Sequence, residues 1–176
     1  PQGDNLRGVM DLKSVAYRRQ GNQLWFHVEP HAPFDPLAED IHLVLYDPTG
    51  NAFRLQWKHG VTYAATRPVG SDTWTAVTVP SGALANAWAA LDGNWVFFAV
   101  DVTTLPGLID VGPEALRVHV QSYNDREDRI SDAFPDDLSD VWSLPVINWR
   151  ASGTLCGNGI IEGSEECDAG NVSQSQ

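Results

Sequence analysis

The sequence predicts an all-β fold: a two-sheet antiparallel β-sandwich of jelly-roll or immunoglobulin-like type, with one short helix, followed by a short cysteine-containing tail. Three observations predict it. From Asp11 to Trp149, apolar and polar residues alternate with period two in short runs rich in Val, Trp, Phe, Tyr and Thr. Gly, Asp, Asn and Pro break the runs at short intervals. Nine such runs in one domain are too many for a single small sheet and imply two packed ones.

The runs span 12–18, 23–29, 41–46, 53–58, 61–67, 73–79, 95–103, 116–123 and 140–147. Arg19-Gln20-Gly21-Asn22 and Asp47-Pro48-Thr49-Gly50-Asn51 place turn formers between alternating runs, so the flanking strands should be antiparallel neighbours. In the second run Leu24, Phe26 and Val28 should face the core, with Trp25, His27 and Glu29 on the opposite face. The same alternation puts Leu116, Val118 and Val120 inward and Arg117, His119 and Gln121 outward. Residues 81–90 break the pattern: Ser81 is a suitable N-cap, alanines follow, and Asp92-Gly93 provides a stop, which reads as a short helix.

At 176 residues the chain fits one domain plus an appendage. We divide it into a β-sandwich domain at 1–150, a linker at 151–155 and a cysteine-containing unit at 156–176. Hydrophobic residues make up 43% and charged residues 19%, a globular balance with no apolar run long enough to insert in a bilayer. The net charge of −12 repels phosphate backbones and anionic lipid and attracts cations, so neither nucleic acid nor a membrane is an expected partner. No leader is recognisable after Pro1, so export has to be argued from the tail.

The tail reads Cys156-Gly157-Asn158-Gly159-Ile160-Ile161-Glu162-Gly163-Ser164-Glu165-Glu166-Cys167-Asp168-Ala169-Gly170-Asn171. It resembles the myxococcal-type cysteine-rich repeat, whose members open with CGNG and run into EECDDGN; Ala169 stands where a second Asp is usual. The repeat normally continues to further cysteines, so a piece of a longer protein or a vestigial repeat would both fit. The resemblance implies an extracellular or outer-surface bacterial protein in which such repeats are disulfide-rich spacers. Cys156 and Cys167 are the disulfide candidates, paired with each other or with cysteines of a longer chain. Closing the short loop between them would contribute up to about 3 kcal/mol in the chain-entropy account. Two thiolates with no nearby His supply only half of a structural zinc site.

The main domain also resembles bacterial extracellular carbohydrate-binding and DOMON-like β-sandwich modules. The likeness lies in strand order, the helix before a long Trp-containing strand, and the loop Asp132-Ala133-Phe134-Pro135-Asp136. It covers most of residues 9–149 and rests on pattern rather than on a signature.

Two sets of residues are candidates for binding. The segment from Tyr123 to Asp140 is the densest acidic stretch and reads as a loop between strands. Asn124, Asp125, Asp128, Asp132, Asp136 and Asp137 are the oxygen donors that a hard cation such as Ca²⁺ would need. The competing reading is a solvated loop partly neutralised by Arg126 and Arg129. Seven tryptophans are many for this length, and flat aromatic faces stack on pyranose rings. Trp25, Trp88 and Tyr123 are the candidate ligand-binding residues. Trp57, Trp74, Trp95, Trp142 and Trp149 fall in or beside strands and read as core.

Catalysis is the weaker expectation. There is no Gly-x-Ser-x-Gly elbow, no phosphate-binding Gly-rich loop and no nucleophilic cysteine motif. His27, His31, His42, His59 and His119 are scattered on strand and loop and read as surface residues. The sequence therefore points to a non-catalytic extracellular binding or structural module, with Ca²⁺ as its one candidate cofactor. Its partners would be a glycan or neighbouring surface subunits. A carbohydrate-binding module is the first alternative and a metal-dependent enzyme the second.

Overall fold

A computed structural model describes residues 12–20, 23–31, 39–78, 87–92, 95–102, 104–109, 115–124, 129–134, 144, 146–147 and 153–154. The described strands are β1 (Leu12–Gln20), β2 (Gln23–Pro30), β3 (Glu39–Tyr46), β4 (Ala52–Lys58), β5 (Val61–Arg67) and β6 (Thr75–Ala76). They continue with β7 (Ala87–Asp92), β8 (Trp95–Val100), β9 (Leu116–Asn124), β10 (Arg129–Phe134), β11 (Val146–Ile147) and β12 (Gly153–Thr154). The first sheet has the order β12-β1-β2-β8-β7, the second β10-β9-β3-β4-β5-β6, with β11 also pairing β9. All pairings are antiparallel.

Alternation explains why the two sheets stack. Leu24, Phe26 and Val28 of β2, Val96, Phe98 and Val100 of β8 and Val15 of β1 are buried with Leu43, Leu45, Leu55, Val118 and Val120 of the second sheet in one core. Trp25, His27 and Glu29 stand on the other face of β2, half-buried, as the alternation requires. Both anticipated hairpins form: β1 pairs β2 with Gln20 opposite Gln23, and β3 pairs β4 with Tyr46 opposite Ala52. The β4–β5 hairpin turns on His59 and Gly60, both at positive φ (49° and 78°), the backbone a two-residue turn needs to match strand twist.

Three segments differ from the sequence expectation. Residues 87–90, expected in a helix, belong to β7; residues 81–86 lie outside the described set. Alanine favours helix by well under 1 kcal/mol per residue. Six consecutive pairings with β8, from Ala87 opposite Val100 to Asp92 opposite Trp95, outweigh that preference. The acidic stretch expected as loop contains β10, which pairs β9 and buries Asp132, Ala133 and Phe134. Gly153 and Thr154, expected in a linker, pair Tyr17 and Ala16 at the edge of β1, where backbone groups await a partner whatever the side chains.

The outward face of the second sheet is partly covered. Val44, Tyr46 and Ala52 form a second apolar cluster with Leu144, and Trp74 packs against it. Beside them His42 and His119 are buried (5% and 0% exposed), although alternation places both outward. The expectation of surface histidines fails here because this face is roofed; His31 and His59 are exposed as expected.

Candidate functional site

The sequence-predicted residues are not gathered in one place. Trp25 sits on the outer face of the first sheet, with the Arg18 guanidinium 5.8 Å from its ring centroid. In register it stands opposite Ala99, and Ala99 stands opposite Trp88 of β7. Tyr123 projects from the second sheet, stacked on His42 with ring centroids 5.4 Å apart and planes 19° apart. Trp25 and Tyr123 thus belong to opposite outer faces.

Of the candidate cation ligands, Asn124 and Asp132 fall among the described residues. Asn124 ends β9 and is buried. Asp132 lies in β10 rather than a loop, and its Oδ2 accepts a buried hydrogen bond from the backbone N–H of Leu12 in β1. Asp132 therefore ties the edge of the second sheet to the first. Asp125, Asp128, Asp136 and Asp137 lie outside the described residues, as do Cys156 and Cys167. Among the described residues no cluster of three or more His, Cys, Asp or Glu could hold a metal ion.

A concavity lies elsewhere, on the outer face of β4, β5 and β6. It is an open cleft of about 470 Å³ lined by Arg54, Gln56, Lys58, Tyr63, Ala64, Ala65, Trp74 and Ala76. Its shape follows from sequence alternation. Arg54, Gln56 and Lys58 occupy alternate positions of β4 and share its outward face. In register Arg54 stands opposite Ala65 and Ala65 opposite Ala76, so two small residues form the floor beside a long basic side chain. Tyr63, opposite Gln56 and 50% exposed, makes one wall. Trp74, just ahead of β6, makes the other.

The polar side chains are held in place. Asp40 of β3, fully buried, accepts a 2.8 Å hydrogen bond from Gln56 Nε2 and pairs with Lys58 Nζ at 3.2 Å. The guanidinium carbons of Arg54 and Arg67 lie 4.7 and 4.9 Å from the Trp74 ring centroid, close enough for cation–π attraction. Burial, and then the neighbouring charge of Arg67, disfavour the protonated form of Arg54; Tyr123 and Asp40 act in the opposite direction without overcoming them.

This cleft was missed in the sequence because Trp74 reads there as core. Trp57 is indeed core, whereas Trp74 and Trp95 are only partly buried and stand on outer faces. The available signal was Arg54-x-Gln56-x-Lys58 facing Tyr63-x-Ala65: an outward polar stripe beside an aromatic and a small residue. Trp142 and Trp149 lie outside the described residues. No family model, curated protein or solved structure matches this chain.

Proposed function

We propose that the chain is a non-catalytic binding module whose ligand, a carbohydrate, seats in the cleft on β4, β5 and β6. The observation that carries this reading is the composition of the cleft. An exposed tyrosine ring and a tryptophan wall enclose a floor of alanines, with a guanidinium, an amide and an ammonium along one side. Aromatic faces stack on the apolar faces of pyranose rings, while amide and guanidinium donors orient the hydroxyls. An extracellular setting is supported by the resemblance of the tail to bacterial surface repeats.

A screen of neutral and acidic glycans tests this reading, with wild type compared with Tyr63→Ala and Gln56→Ala. Binding that either substitution weakens at least tenfold supports the cleft. Binding untouched by both, but lost in Trp25→Ala, would move the site to the first sheet.

A second reading has its own observation. Trp25, Trp95 and Phe97 are half-buried on the outer face of the first sheet, a setting suited to a neighbouring subunit in a structural module. Concentration-dependent association abolished by Trp25→Ala would favour it.

A further inference from the structure

The electrostatics of the cleft oppose those of the protein that carries it. The chain has a net charge of −12 and only 11 Lys and Arg residues, yet three of the cations, Arg54, Lys58 and Arg67, converge on this one cleft and its Trp74 wall. Lys58 is matched by Asp40 at 3.2 Å. Among the described residues no carboxylate lies within ion-pair distance of Arg54 or Arg67; both guanidiniums lie against the Trp74 ring, and Arg67 also shares a side-chain hydrogen bond with Tyr46. Two half-buried guanidiniums thus share one aromatic ring, and the charge of Arg67 bears unfavourably on Arg54. A planar fork of donors held against an aromatic wall is preorganised for a carboxylate, which it can meet through two parallel hydrogen bonds. The exposed Tyr63 ring across the alanine floor is available to stack on the sugar that carries that carboxylate.

We infer that the ligand of this cleft is an acidic glycan, with Arg54 and Arg67 receiving the carboxylate of a uronic acid residue and Tyr63 stacking on a sugar ring. This inference rests on the carbohydrate reading of the cleft. It adds that a neutral sugar offers the two guanidiniums no anion and binds poorly. It also assigns the acidic chain its selectivity: the general negative field repels polyanions, so only a ligand that reaches the paired arginines is retained.

The test is a calorimetric titration of the whole chain with oligogalacturonate, with its fully methyl-esterified counterpart, with a neutral cello-oligosaccharide and with dextran sulfate. The expected result is binding of oligogalacturonate about tenfold or more tighter than of its methyl ester, weakened by salt. Arg54→Gln and Arg67→Gln should each remove that preference, and Tyr63→Ala should weaken binding of the acid without restoring binding of the ester. Equal affinity for acid and ester would overturn the acidic-ligand inference and leave the carbohydrate reading standing. No binding of any sugar would overturn both. Binding of dextran sulfate as tight as that of oligogalacturonate and insensitive to Tyr63→Ala would reduce the cleft to an ion exchanger and also overturn the inference. Arg54→Lys keeps the charge and loses the fork, so it should lose part of the preference even if Arg54→Gln fails to fold.

Discussion

The Asp47 carboxylate accepts the backbone N–H of Ile109 at 2.8 Å, a bond between residues 62 positions apart. The same carboxylate accepts the N–H and Oγ1–H of Thr49 at 2.8 Å each, the N–H of Asn51 at 3.0 Å and Nδ2 of Asn51 at 2.9 Å. A fully buried charge is thereby satisfied entirely by donors. The Asp-x-Thr-x-Asn spacing superficially suits a cation, but each of these contacts is with a hydrogen-bond donor. Asp47 instead fastens the β3–β4 turn to the segment carrying the core residues Val102 and Leu105.

Asp47→Asn should therefore cost about 2–3 kcal/mol, because an amide nitrogen would face donors in a buried pocket. Burial raises the pKa of Asp47, but the hydrogen bonds from Asn51, Thr49 and the Ile109 backbone lower it by more. With the folded pKa depressed, the stabilisation is complete above the unfolded value of about 3.9 and is lost as pH falls through the folded value. Thermal unfolding of both proteins from pH 7 to pH 2 should show the gap in Tm narrowing only below about pH 4. A constant gap would mean that the carboxylate charge is irrelevant.

Gly107→Ala should destabilise by about 1–3 kcal/mol. Gly107 has φ +82°, and a Cβ there would approach Thr66 Cγ2 to 2.8 Å. Gly70→Ala is the comparison, since φ +75° imposes the same backbone strain with nothing within 4 Å. Urea denaturation of the two should show the larger loss at position 107.

His27 titrates against the fold. Its ring packs edge-on against Phe97 at 4.5 Å and Trp95 at 6.2 Å, and its Nε2 is buried with no hydrogen-bond partner among the described residues. Burial, and next the charge of Arg18, lower its pKa. A base whose folded pKa is lowered costs stability once the unfolded form protonates, so the cost grows as pH falls below about 6.5. His27→Phe should leave Tm unchanged or higher at pH 8 and raise it further at pH 5. A wild-type Tm equal to that of the variant at both pH values would contradict this.

Much of the fold is legible in the residues, and the parts that are not have physical reasons. Period-two alternation placed Leu24, Phe26, Val28, Leu116, Val118 and Val120 inward, because a core-facing strand cannot slip one residue without inverting its faces. β7 was hidden because alanines carry a helical preference that cross-strand pairing overrides. β10 was hidden because Asp132 reads as solvent-facing, and only the position of β1 shows its carboxylate satisfied indoors. The cleft was half legible. The stripe Arg54, Gln56, Lys58 is visible in sequence, but which stretch of the outer face stays open depends on where Leu144 packs, a long-range contact no local pattern encodes.

Asp132→Ala should lower Tm by a similar amount in EDTA and in millimolar Ca²⁺, because it removes the buried hydrogen bond from Leu12. The expected cost is about 1.5–3 kcal/mol, the value of a buried bond to a charged group. A calcium-dependent rise in the Tm of wild type that this substitution abolishes would instead place a cation on Asp132, since a ligand of the native state stabilises in proportion to its occupancy.

The most direct measurement of the central claim is amide chemical-shift mapping of the ¹⁵N-labelled chain during titration with oligogalacturonate. Shifts should concentrate at Arg54, Gln56, Lys58, Tyr63, Ala65 and Ala76, together with the Trp74 indole N–H. Shifts confined to Trp25, Phe97 and Ala99 on the first sheet would contradict the claim.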